Sequence, residues 1–256
     1  MLVTLGSGAS ISAGASQTFQ YACNSAQQVY VRTEDAADSL DGHITVQIGN
    51  DVIVNDINFQ ALAYLGEVTG GANVASSHAG FKVDLGSHVL EGEENLYVTI
   101  RNADGASALD AVDVSAIVNE SGVYQPLKYT NYSDNVFTDT NTLSVYAWST
   151  ADLDEDTTAF TIRNQAYSST PQVQSGCSVS QCNSWTFEGG STAWKRLSTL
   201  AQNQVPMNTS INYSSATITG VICISAMDKM PSKARASAQA GRAVVGGMTS
   251  SERKAL

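Results

Sequence analysis

Charge is scarce in this chain of 256 residues. Its 24 acidic and 13 basic residues make up 14% of the sequence, against about 25% in an average soluble domain. A disordered chain combines many charges with few hydrophobic residues, so the 43% hydrophobic content here excludes that class. A long coiled coil is excluded too, because its composition would be dominated by Glu, Lys and Leu. The net charge of −11 argues against a protein that coats nucleic acid with its whole surface. Cysteine is also rare. Cys23, Cys177, Cys182 and Cys223 are too few for a disulfide-built scaffold. A chain of this length removes roughly 70–75% of its unfolded surface from water and needs no such staples. Cys23 and Cys223 lie in apolar, strand-like runs and read as small core residues. Cys177 and Cys182 flank Ser-Val-Ser-Gln, where either a local disulfide or a free pair would fit. The free pair is the expectation, since nothing marks the chain as secreted.

Long apolar runs are missing. The longest, residues 216–227, is broken by Thr and Gly and is shorter than the ~20 residues a membrane-spanning helix requires. The segment from Met1 to Gly8 lacks the basic start and the apolar length of a signal peptide. These features predict a chain made in the cytoplasm, with no signal peptide and no transmembrane helix.

Catalytic signatures are missing as well. There is no Gly-x-Ser-x-Gly, no phosphate-binding Gly-x-x-x-x-Gly-Lys, no His-Glu-x-x-His and no Cys-x-x-Cys. The three histidines are His43, His78 and His88. His43 sits beside Asp41 at a strand start and reads as an ordinary strand-end residue, because a serine-rich chain permits a Ser-His-Asp site anywhere on paper. The expectation is no enzyme activity and no cofactor. The loop Asp152, Asp154, Glu155, Asp156 offers hard oxygen ligands, so Asp152, Asp154 and Asp156 form a weak Ca²⁺ candidate. The run has neither the ligand spacing nor the Gly of an EF-hand loop, and a solvated loop is the expectation. Glu91, Glu93 and Glu94 read the same way.

What fills the space is Ser, Thr, Asn and Gln, 83 residues in all, and they alternate with apolar residues at period two. The clearest case is residues 43–48, then Gly49-Asn50, then 51–54. Gly-Asn between two alternating runs predicts a hairpin, because both residues tolerate positive φ. Other strands are expected at 17–23, 28–33, 80–85, 95–102 and 112–119. In the second half they are expected at 123–130, 143–149, 159–164, 184–188, 210–213 and 216–227. Two segments look helical: 57–65, capped by Asp56, and 193–204, capped by Thr192. Many short strands with two short helices predict an all-β protein of the jelly-roll β-sandwich type, either one elaborated sandwich or two in tandem. The expected organisation is 1–120 as one β-sandwich, 121–227 as a second or a continuation, and 228–256 as a separate arm.

The arm is a different material. Its 29 residues hold six bases (Lys229, Lys233, Arg235, Arg242, Arg253 and Lys254) and two acids, a balance of +4. The 227 residues before it carry −15. With no aromatic residue and three glycines, the arm reads as a mobile segment that could order on contact with lipid headgroups, nucleic acid or an acidic neighbour.

The segment Phe81-Lys-Val-Asp-Leu-Gly-Ser-His-Val-Leu-Glu-Gly-Glu-Glu-Asn-Leu-Tyr-Val-Thr-Ile-Arg-Asn102 resembles the paired strands of viral jelly-roll capsid proteins. It is similar in style to those of tailless icosahedral bacteriophages and archaeal viruses with an internal membrane. The few lysines, the Ser/Thr/Asn-rich surface and the basic terminal arm fit the same group. The resemblance implies a capsid subunit of the virion that assembles with copies of itself and other virion proteins. The six basic residues of the arm would touch internal membrane, genome or a neighbouring subunit, and no small-molecule substrate would be involved. Low side-chain charge suits surfaces made to be buried between copies. Two other readings stay open. One is a phage tail, fibre or head-decoration protein. The other is a carbohydrate- or Ca²⁺-binding β-sandwich, with Trp148, Trp185 and Trp194 as candidate contacts.

Overall fold

The computed structural model describes residues 1–34, 41–68, 80–89, 95–119, 125–132, 136–137, 141–150, 158–164, 172–178, 197–202, 209–213 and 218–227. Among these residues are sixteen strands and one complete helix. The first eight strands are β1 (Leu2–Ile11), β2 (Ser16–Ala22), β3 (Ser25–Arg32), β4 (Gly42–Ile48), β5 (Asp51–Asn58), β6 (Gly80–Val89), β7 (Asn95–Asn102) and β8 (Leu109–Val118), with helix α1 (Phe59–Val68) between β5 and β6. They form two sheets of order β1-β8-β3-β6 and β2-β7-β4-β5. The next eight are β9 (Gln125–Tyr132), β10 (Val136–Phe137), β11 (Thr142–Trp148), β12 (Thr158–Asn164), β13 (Gln172–Ser178), β14 (Leu197–Gln202), β15 (Thr209–Tyr213) and β16 (Gly220–Ala226). Their orders are β9-β16-β11-β14 and β10-β15-β12-β13. Subtracting eight from each label reproduces the first set. This is the jelly-roll order, traced twice.

Alternation explains the first roll. Along β7, Leu96, Val98 and Ile100 are buried, while Tyr97, Thr99 and Arg101 face outward. Val112, Val114, Ala116 and Val118 do the same along β8. Each sheet therefore has one apolar face, and the two faces meet to form the core. The Gly49-Asn50 hairpin is present, with Ile48 opposite Asp51. Of the two turn residues only Gly49 has positive φ, at 56°. That is the pattern of a type II′ turn, which places glycine first.

Two helix expectations are corrected. The first helix begins at Phe59, and its cap is Asn58 rather than Asp56: the Asn58 Oδ1 accepts from the Gln60 backbone N–H at 2.8 Å. The ladder to β4 holds Ile57 and Asn58 in strand geometry (Ile44 opposite Ile57, His43 opposite Asn58), so helix can start only beyond it. The helix is buried on all sides from Phe59 to Leu65, lying on β6 with the Phe59 and Phe81 rings 4.8 Å apart. Gly42 leaves room for that ring, which a Cβ at this position would overlap. The second expected helix, 193–204, is strand where it is described. Residues 197–202 form β14, antiparallel to β11. A short stretch of middling helix propensity gains less as an isolated helix than as a paired strand. The expected strand at 184–188 lies outside the described residues. β1, β10 and β13 were not among the expected strands.

Candidate assembly surfaces

The two strand sets share a junction at β9. This strand belongs to the second set through its ladder with β16. It also meets both strands on one side of the first roll, pairing with β6 at Gly86–Pro126 and Ser87–Gln125 and with β5 at Val54–Tyr129. Tyr129 is the plug. Its ring is buried, and its hydroxyl donates to the Asp84 carbonyl at 2.7 Å. Burial pushes this phenol well above the ordinary tyrosine range, with the nearby Asp84 adding to the effect. Beside it, His88 Nε2 lies 3.2 Å from the Leu127 carbonyl, so this ring nitrogen carries the proton in that contact.

The strand ends fall into two groups. At one end, hydrogen-bonded neighbours run in a row: Met1 beside Val118, Ala26 beside Val118 and His88, Gly86 beside Pro126, and Leu127 beside Ala226. Met227, the last described residue, also lies at this end, its N–H donating to the Pro126 carbonyl. The opposite end of the first roll carries acids. Ala103 N–H donates to the Asp41 carbonyl, Gly14 N–H to that of Asp104 and Glu34 N–H to that of Asp110. Asp104 and Asp41 respond differently. Backbone N–H groups of Ala106 and Ser107 hold Asp104 below the usual carboxylate range. Burial, helped by the charge of Asp104, raises Asp41. Asn102, buried, ties this end together. Its Nδ2 donates to the Ile11 and Ser107 carbonyls at 3.0 and 2.8 Å, and its Oδ1 accepts from Asp104 N–H at 2.9 Å.

His43 does not sit in a catalytic arrangement. Arg101 donates to both Asp56 oxygens, at 2.9 and 2.8 Å, and His43 Nδ1 lies 3.6 Å from Asp56 Oδ1. This is an ion pair bridging the strands of one sheet, on its outer face. The Arg101 hydrogen bonds hold the Asp56 carboxyl below its ordinary range. Burial lowers His43, opposed by Asp56 and Asp41 and reinforced by Arg101. A histidine lowered by folding is protonated more readily in the unfolded chain. Its contribution is therefore complete above the unfolded value of about 6.5 and is lost as pH falls from there through the lower folded value. Melting temperatures measured between pH 7 and pH 5 are expected to fall further for the native protein than for His43→Gln.

The residues singled out from the sequence fare unevenly. Lys229, Lys233, Arg235, Arg242, Arg253 and Lys254 lie outside the described residues, as do Asp152, Asp154, Asp156, Cys182, Trp185 and Trp194. The backbone of Cys177 stands opposite Phe160 between β13 and β12. Cys23 and Cys223 are buried, as expected of core residues, and burial raises the Cys23 thiol. Trp148 is 4% exposed and belongs to the core, leaving no open ring face for a sugar. Among the described residues no group of His, Cys, Asp or Glu is placed to hold a metal ion, and no helix is long and apolar enough to cross a membrane. The junction at β9 escaped the sequence analysis. No local pattern marks which strand will cap a neighbouring sandwich.

Known structures share this architecture. The major capsid protein P2 of bacteriophage PM2 matches with a TM-score of 0.56 at 8% identity, over 89% of this chain and 96% of that one. The STIV MCP matches with a TM-score of 0.61 at 10% identity, over 88% and 94%. The chain has the fold of viral major capsid proteins. A further match, from the atomic structure of Sulfolobus Turreted Icosahedral Virus, covers 88% of this chain and 89% of that one, with a TM-score of 0.52 at 9% identity. No protein-family profile matches this chain, and no curated protein matches it in sequence.

Proposed function

We propose that this chain is a capsid subunit of a virion that self-assembles into an icosahedral shell, organised as rolls at 1–120 and 121–227 and an arm at 228–256. The observation that carries the reading is the doubled jelly-roll order, shared along almost the whole length with the major capsid proteins above. Its work is structural, not enzymatic, and needs no cofactor. Its partners are copies of itself and other virion proteins. The low charged fraction supports broad protein–protein burial. Lys229, Lys233, Arg235, Arg242, Arg253 and Lys254 contact an anionic partner on one face of the shell: internal membrane, genome or a neighbouring subunit. The contrast between the +4 of the arm and the −15 of the body supports an anionic partner for the arm.

Sizing of purified protein, together with electron microscopy of the native source, tests the assembly. Capsomers or shells tiled by this chain are expected, and a strict monomer at high concentration would overturn the reading. Removal of residues 228–256 is expected to abolish binding to anionic vesicles or nucleic acid. That binding should weaken steeply with salt, since six cations neutralise at most about six phosphates.

A further inference from the structure

We infer that the second set of strands encloses a binding site for one water molecule, beside Gly220 at the start of β16.

Three neighbouring strands build the site. β16 runs between β11 and β9, with Gly220 opposite Trp148 on one side and Ile222 opposite Asn131 on the other. Alternation along the strands puts Trp148, Gly220, Ile222 and Asn131 on one face of the sheet. This face is turned to the core, since Ile222 and Trp148 both belong to it. Two polar atoms point into that apolar setting. Asn131 Oδ1 and Trp148 Nε1 are buried, and among the described residues neither has a hydrogen-bond partner. An acceptor and a donor buried in this way each carry the full cost of leaving water.

Gly220 is what the two atoms share. The point where a Cβ would stand on it lies 2.9 Å from Asn131 Oδ1, 2.9 Å from Trp148 Nε1 and 3.5 Å from the Tyr132 carbonyl oxygen. A methyl carbon there would crowd both polar atoms. An oxygen seated against the bare α-carbon meets them as hydrogen-bond partners. The chemistry of the three groups selects the ligand. The Trp148 N–H can only donate, while Asn131 Oδ1 and the Tyr132 carbonyl can only accept. Their occupant must accept one bond and donate two from a single atom. A metal ion cannot accept, an anion cannot donate, and a hydroxyl has one proton to give. Water meets all three requirements, and a buried water typically makes about three such bonds. Holding it in place costs less than leaving a donor and an acceptor unpaired.

A crystal structure of the native protein tests the site directly. One ordered oxygen is expected within about 3.2 Å of both Trp148 Nε1 and Asn131 Oδ1. A direct bond between those two atoms, a protein side chain filling the place, or no density there would overturn the inference. Thermal unfolding gives a second test. Trp148→benzothienylalanine keeps the shape of the ring and removes the N–H. The melting temperature is expected to fall by about 2–5 °C, from the loss of one hydrogen bond in a chain of this size. An unchanged or higher melting temperature would show that Nε1 had no bond to lose and would overturn the site. Gly220→Ala puts a methyl group in place of the water, so the same replacement made in that variant is expected to bring no fall. An equal fall in both backgrounds would trace to ring packing and count against the bound water.

Discussion

Tyr129→Ala is expected to destabilise the protein by about 3–5 kcal/mol, the range for removing a large buried aromatic side chain. In a chain of this size that corresponds to a fall in melting temperature of about 10 °C. The effect is large because the ring does two jobs. It fills the side of the first roll between β5 and β6, and its hydroxyl satisfies the Asp84 carbonyl. Tyr129→Phe separates them. It keeps the ring and removes only the hydrogen bond, at a cost of about 1–2 kcal/mol from the carbonyl left without its donor. Thermal unfolding followed by circular dichroism reads both. Equal losses for the two variants would show that the hydroxyl, not the ring, holds the junction.

Asn102→Ala is expected to cost about 3 kcal/mol, although it removes only a small side chain. Asn102 is 1% exposed, and its amide group serves three backbone partners: the Ile11 carbonyl, the Ser107 carbonyl and the Asp104 N–H. Each buried group stripped of its partner costs about 1–3 kcal/mol, reduced where the loops open to water. Those loops join β1 to β2 and β7 to β8, so hydrogen exchange should rise at residues 12–15 and 103–108 before it rises in the strands. Asn102→Asp provides the contrast. It keeps an acceptor for Asp104 N–H but turns two donated bonds into carboxylate facing carbonyl, and it should be at least as damaging as alanine.

Part of this structure is legible in the sequence. Where one strand face is buried and the other is not, the period-two pattern is written in the residues, and β4, β7 and β8 follow from it directly. The Gly49-Asn50 turn was equally plain, because its backbone demands a residue free to take positive φ. β1 was not legible. Its glycines and serines blur the alternation, and its ladder to β8 shifts register three times. A bulge breaks the period on which the pattern depends. β14 was misread for a different reason. The segment Leu-Ser-Thr-Leu-Ala-Gln has no strong local preference, and the edge of β11 decided its conformation. The helix cap slipped from Asp56 to Asn58 because strand pairing to β4 outlasted the local capping signal.

By itself, then, the sequence determined the all-β character, the core faces of the regular strands and the contrast between a −15 body and a +4 arm. Those properties depend on composition and on the two-residue repeat of an extended chain, both of which are local. Tertiary structure decided the doubling of the roll, the seating of Tyr129 between β5 and β6, and the tie that Asn102 makes between Ile11 and Ser107. Each of these is a relation between strands far apart in the chain. No local pattern in the sequence carries such a relation.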